Sequence, residues 1–142
     1  MSVMQRTLAI IKPDAVAKGV VGQIIARIEQ AGIKILAARL IHMRHEEAAD
    51  FYVVHKERPF YQSLCAFMTQ GPCLPMVLEA ENVIQRWRDL MGATDFRKAA
   101  RGTIRADFAS SIEANAVHGS DSSESASIEI PFFFSSTEIY PR

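Results

Sequence analysis

The chain has 142 residues, 49% hydrophobic and 23% charged, a composition that suits one packed core and excludes general disorder. Sixteen basic residues balance sixteen acidic ones, so the surplus of Lys and Arg that a long duplex nucleic-acid footprint requires is missing. The longest early apolar run, Leu8 to Ile11, is far too short for a membrane span or a signal-peptide core, which leaves the expectation of a cytoplasmic protein with a single domain over residues 1–142.

In chain order, Thr7 to Ile11 reads as a buried strand ended by Pro13, and Val21, Ile24, Ile25 and Ile28 then follow helical spacing until Gly32 supplies a stop. Ile33 to Met43 is rich in β-branched and aliphatic residues and reads as a second strand. Glu46 to His55 reads as a short polar-faced helix that Arg58-Pro59 breaks. Tyr61, Leu64, Cys65 and Met68 mark an amphipathic helix closed by Gly71-Pro72, and Cys73 to Glu79 reads as a third strand. Val83, Ile84, Trp87, Leu90 and Met91 line the next helix. Residues 92–114 have weak periodicity and read mostly as loop, a length that is uncommon unless it binds something. Ala116 to His118 gives a last short strand, after which Asp121 and Glu124 resemble a capping pair opening a helix through Phe134. This order predicts a mixed α/β (α+β) fold, a ferredoxin-like sandwich with helices packed on one face of a four-stranded antiparallel sheet. Cys65 and Cys73, without a metal-ligand partner at short spacing, read as reduced core thiols.

The stretch that carries chemistry is Asn115-Ala116-Val117-His118-Gly119-Ser120-Asp121-Ser122, where an imidazole stands at a strand end before Gly and small polar residues. With a reference pKa of about 6.5, much of a histidine population is neutral near pH 7 and able to attack phosphorus. A carboxylate on the other ring nitrogen would fix the tautomer, and Glu129 on the following helix is the candidate. Taken alone, a His before Gly is more often a structural hydrogen-bonding group, so the surrounding sequence has to decide.

That stretch matches the active-site signature of nucleoside diphosphate kinases, and four further segments match the family in order: Thr7 to Asp14, His55 to Tyr61, Met91 to Thr94 and Gly102 to Phe108. The chain therefore resembles that family, of the bacterial type, from about Gln5 to Arg142. The resemblance implies ping-pong transfer of the terminal phosphate of a nucleoside triphosphate, typically ATP, to a nucleoside diphosphate through a phosphorylated His118. It implies a base held by stacking on Phe60 with Ile112 opposite, sugar contacts from Lys12 and Asn115, and phosphate contacts from Lys12, Arg88, Thr94 and Arg105. Tyr52 would support His118 by hydrogen bonding, and Ser120 would orient Glu129. Mg2+ would enter on the nucleotide phosphates and not in a protein cage. The implied partners are ATP, GTP, ADP, GDP and deoxy forms, together with further copies of the chain, a tetramer being favoured over a hexamer by the short C-terminus.

Four residues depart from the family's usual pattern. Phe96 stands where Pro is usual, and Trp87 replaces a small or polar residue beside Arg88, adding apolar area that either packs inward or widens an interface. Pro75 falls in the third strand, and Pro131 falls in the last helix two residues past Glu129, where a kink would alter the aim of that carboxylate at His118. Two other readings use the same residues: a histidine phosphocarrier that hands its phosphate to a protein, and a ligand-sensing module in which His118 is structural. Metal binding by His42 and His45 is the weaker idea, because both stand in a solvated stretch beside Arg44.

Overall fold

The computed structural model describes residues 3–142. Four strands, β1 (Met4–Ile11), β2 (Lys34–Ala38), β3 (Leu74–Glu81) and β4 (Val117–Gly119), form one antiparallel sheet in the order β2-β3-β1-β4. β1 is central, pairing along its whole length with β3 and, at Ala9 to Ile11, with β4. The register Ile10↔His118 places the candidate nucleophile on the rim of the most buried strand.

Side-chain alternation along β1 explains the layering. Ala9 and Ile11 enter one apolar core with Ile24, Ile28, Met76, Leu78 and Trp87, while Leu8 and Ile10 enter another with Met68, Val77 and Phe133. Each fully buried Leu or Ile contributes about 1.5–3 kcal/mol relative to exposure. The sheet is therefore covered on both faces and not one, as expected for central strands that are apolar at consecutive positions. Helices α2 (Val21–Gln30) and α5 (Val83–Met91) supply buried residues on the first side; α3 (His45–Phe51), α4 (Tyr61–Met68) and α7 (Ser123–Phe133) supply them on the second.

Several boundaries differ from the sequence reading, each for a local reason. Pro13 does not only end β1: it opens a helix, α1 (Pro13–Lys18), where its missing N–H costs nothing, and Gly19 closes that helix at φ 74°. The second strand is shorter than Ile33 to Met43. A register shift between Ile35 and Ala37 bends it, it ends at Ala38, and only Ile41 returns to bridge Cys73. Pro75 is tolerated in β3 because its carbonyl side, which accepts from the Arg39 amide at 3.1 Å, faces the place where β2 has already ended. The 92–114 segment holds a 3-10 turn at Phe96–Lys98 and helix α6 (Ile104–Phe108), too short to leave a period in the sequence. Phe96 starts that turn, which Asp95 caps by accepting from the Arg97 amide. The cap of α7 is Ser122, accepting from the Ser125 amide at 3.1 Å, and not Asp121. Pro131 leaves the helix running to Phe133.

Candidate active site

All eleven residues singled out from the sequence line one cavity of about 780 Å³. Its geometry begins with the backbone just before β4. Ala116 has φ 75°, and the Val117 amide donates back to the Asn115 carbonyl at 2.9 Å, a tight three-residue turn. A non-glycine residue in this region costs on the order of 1–2 kcal/mol, so something must hold it there. The Ala116 amide donates to Asp14 Oδ2 at 3.1 Å while its carbonyl accepts from the Lys12 amide at 2.8 Å. The β1–α1 junction thus clamps the turn from which Asn115 and His118 emerge.

His118 Nε2 lies 2.8 Å from Glu129 Oε1, and the same oxygen accepts from Ser120 Oγ at 3.0 Å. Ser120 Oγ in turn accepts from the Leu8 amide at 3.2 Å, which ties the carboxylate to β1. A carboxylate opposite Nε2 puts the ring proton there and leaves the lone pair on Nδ1. The kink expected from Pro131 does not misdirect Glu129. Tyr52 differs from expectation. Its ring meets the His118 ring edge-on with centroids 6.4 Å apart, but its buried hydroxyl makes no hydrogen bond among the described residues, and burial pushes that hydroxyl's pKa up. Phe51, which the sequence reading missed, also packs edge-on against His118, at 5.6 Å.

Helix α5 holds the loop behind the histidine at two points. Trp87 Nε1 donates to the His118 carbonyl at 3.1 Å, and Arg88 Nη2 donates to the Asp121 carbonyl at 3.2 Å. Trp87 is 1% exposed, which decides the question its size raised: it packs inward. It also explains Gly119, because a Cβ there would stand 2.6 Å from the indole ring. The sequence marked Trp87 as a departure and Gly119 as part of the signature stretch, but at 32 positions apart no local pattern joined the two.

The cationic side chains are held in different ways. Arg105, buried, donates to the carbonyls of Asn115, Gly92 and Val117 at 3.3, 3.0 and 2.8 Å, leaving two of its five N–H groups for another acceptor. Burial lowers its pKa to about 10, which still leaves it charged at neutral pH. Lys12 Nζ donates to Asn115 Oδ1 at 2.8 Å, and Asn115 Nδ2 reaches the Thr94 carbonyl at 3.3 Å. Burial, then the neighbouring Arg105 charge, lowers the Lys12 pKa to about 8. At the opposite end of the cavity Phe60 and Ile112 are 47% and 56% exposed, apolar surfaces left open to solvent. Among the described residues no cluster of three His, Cys, Asp or Glu side chains is arranged to hold a metal ion.

The family model described as nucleoside diphosphate kinase matches residues 5–139. The chain belongs to this family. It is 62% identical to the nucleoside diphosphate kinase of Paracidovorax citrulli over 139 residues, 98% of this chain and 99% of the relative. It is 63% identical to that of Bordetella avium over the same shares. A crystal structure of the Aquifex aeolicus nucleoside diphosphate kinase superposes with a TM-score of 0.94 at 47% identity, covering 96% of this chain and 99% of the other. A nucleoside diphosphate kinase family protein from Babesia bovis gives 0.92 at 36% identity, over 97% and 93%. The ferredoxin-like nucleoside diphosphate kinase fold and the family's reaction are therefore those of this chain, which moves the terminal phosphate of a nucleoside triphosphate to a nucleoside diphosphate. No helix among the described residues is long and apolar enough to cross a membrane.

Proposed function

We propose that His118 carries the phosphoryl group between the two nucleotides. The reading rests above all on one observation, the Glu129 carboxylate on His118 Nε2, which leaves Nδ1 as the attacking atom. Nδ1 forms a bond to the terminal phosphorus as the bridging P–O bond breaks, and the diphosphate leaves with that electron pair. The ring gains positive charge, which Glu129 stabilises through the Nε2 proton. An acceptor diphosphate in the same pocket then attacks the phosphorus through a terminal oxygen, and Nδ1 recovers its lone pair.

The other residues take roles that their positions support. Phe60 and Ile112 hold the base by its faces, which tolerates different bases. Lys12 and Asn115, already bonded to each other, bind the sugar hydroxyl, and Lys12 also meets the transferring phosphate. Arg88, Thr94 and the two spare N–H groups of Arg105 take the phosphate chain. Tyr52, whose hydroxyl is unpartnered among the described residues and whose ring packs edge-on against His118, supplies a donor to the same site. Ser120 orients Glu129. Mg2+ belongs to this reading as a companion of the nucleotide, where it neutralises phosphate charge. Asp121, a carboxylate lining the cavity just beyond His118, would be the side chain placed to help hold such an ion on the nucleotide phosphates. The same reading takes residues 1–142 as one domain and has the enzyme working in the cytoplasm as a homo-oligomer, a tetramer before a hexamer, on ATP, GTP and their diphosphates.

The test is to incubate the protein with ATP labelled in the terminal phosphate, remove nucleotide, and look for an acid-labile adduct that GDP discharges as GTP. The adduct should form in the parent chain and be missing from His118→Ala. An adduct that GDP leaves untouched would favour a protein relay instead, and exchange undiminished in His118→Ala would end the proposal.

A further inference from the structure

Two acidic side chains lining the cavity, Asp50 and Glu113, have no part in the mechanism above, and Glu113 is the one beside the base platform. Glu113 follows Ile112 in the chain, is partly buried, and faces the same cavity as Phe60 and Leu64. Its Oε2 accepts from Ser63 Oγ at 2.6 Å. Ser63 lies on α4, three residues beyond Phe60, so this bond joins the two walls between which the base is read to stack. The bond spans fifty residues of sequence and fixes a carboxylate on the wall of the cavity that Phe60 and Ile112 also line.

We propose that Glu113 is a specificity-determining residue that favours guanine over the other bases. The inference rests on the stacking role given to Phe60 and Ile112. An ionised carboxylate only accepts hydrogen bonds, and Ser63 occupies one of its several lone-pair positions, leaving Oε1 and part of Oε2 for a ligand. Guanine alone presents two adjacent donors on its Watson–Crick edge, the ring N1–H and the exocyclic amino group, matched to two carboxylate oxygens. Adenine and cytosine each set a ring acceptor beside their amino group, which a carboxylate repels. Uracil and thymine offer one N–H between two carbonyls. Stacking supplies the broad tolerance; the carboxylate tilts it. Charge-assisted hydrogen bonds discriminate more strongly than neutral ones, though part-exposure weakens the effect here.

The experiment measures kcat/KM for discharge of the phosphorylated enzyme by GDP, IDP and ADP in the parent chain, Glu113→Gln and Ser63→Ala. IDP keeps N1–H and lacks the amino group, so it separates the two donors. The expected order in the parent is GDP, then IDP, then ADP. In Glu113→Gln the GDP-to-ADP ratio should fall about fivefold to tenfold, because an amide offers either edge a partner. Ser63→Ala, which only frees the carboxylate to move, should lower the ratio about twofold. The ratio is unaffected by the fraction of chain that folds, so a destabilised variant still gives an answer. A parent ratio near one, or a Glu113→Gln ratio equal to the parent's, would overturn the inference and leave Glu113 as a tie between loops. Failure of the parent to label with ATP would instead sink the carrier reading.

Discussion

The two ends of the cavity are built on opposite principles. Around His118 almost every polar group is held by a second one: Glu129 by Ser120, Ser120 by the Leu8 amide, the His118 carbonyl by Trp87, and the Ala116 turn by Asp14 and Lys12. Around Phe60 and Ile112 two half-exposed apolar side chains face solvent, and the Ser63–Glu113 bond joins the walls. Chemistry needs reacting atoms fixed to within a fraction of an ångström, whereas a platform that accepts several bases needs only area. The difference teaches that damage at the first end should appear in kcat and damage at the second in KM.

The largest effect is expected for Glu129→Gln. An amide there can present its oxygen to Nε2 but cannot stabilise the ring's positive charge, so kcat should fall about 10–100-fold with KM little changed. Steady-state kinetics with ATP and GDP would check this, and a loss confined to KM would erase the contrast between the two ends. Phe60→Ala removes the stacking face. It should raise KM for every nucleotide about tenfold while kcat at saturation is nearly kept, as stacking is worth about 1–3 kcal/mol per base.

Trp87→Phe keeps most of the apolar volume and deletes one hydrogen bond to the His118 carbonyl. A loss of about threefold to tenfold in kcat is expected, corresponding to about 1 kcal/mol of positioning. Pre-steady-state labelling would separate slower transfer from weaker binding. A thermal shift with unchanged kcat would make the indole purely a core group.

The smallest effect concerns protons. Free Lys12, with a pKa of about 8, is largely neutral at pH 9, and an incoming phosphate draws its pKa back up. Nucleotide binding at pH 9 should therefore take up a fraction of a proton, vanishing at pH 6.5, as calorimetry in buffers of different ionisation enthalpy would show. The same shift has a folding consequence of fixed sign. The unfolded chain holds the Lys12 proton more tightly, so this group alone makes stability rise as pH goes from about 8 to 10.5. Binding that exchanges no proton at pH 9 would place Lys12 outside the phosphate field.

How much of this was legible beforehand varies with the range of the interaction. The four strands and most helices followed from local apolar period and from Gly and Pro punctuation, as at Val21 to Gln30 and Val83 to Met91. The short elements α1 and α6 left no period, whereas the sheet's second covered face did leave a signal, the apolar residues at consecutive positions of β1, which the one-faced expectation passed over. The residues that meet in the cavity were named from a match of motifs, but their mutual bonds were not readable. Lys12 to Asn115 spans 103 residues and Ser63 to Glu113 spans 50, and no local rule connects such pairs. Trp87 was visible only as an oddity, since its meaning depends on a glycine 32 positions away in the sequence that leaves room for it.

The chain's only tryptophan donates its indole N–H to the peptide that carries the nucleophile. Charge gained or lost on the imidazole lies one residue's length from that fluorophore. The enzyme thereby contains its own optical gauge, from which the loading and unloading of the phosphate can be followed without any label.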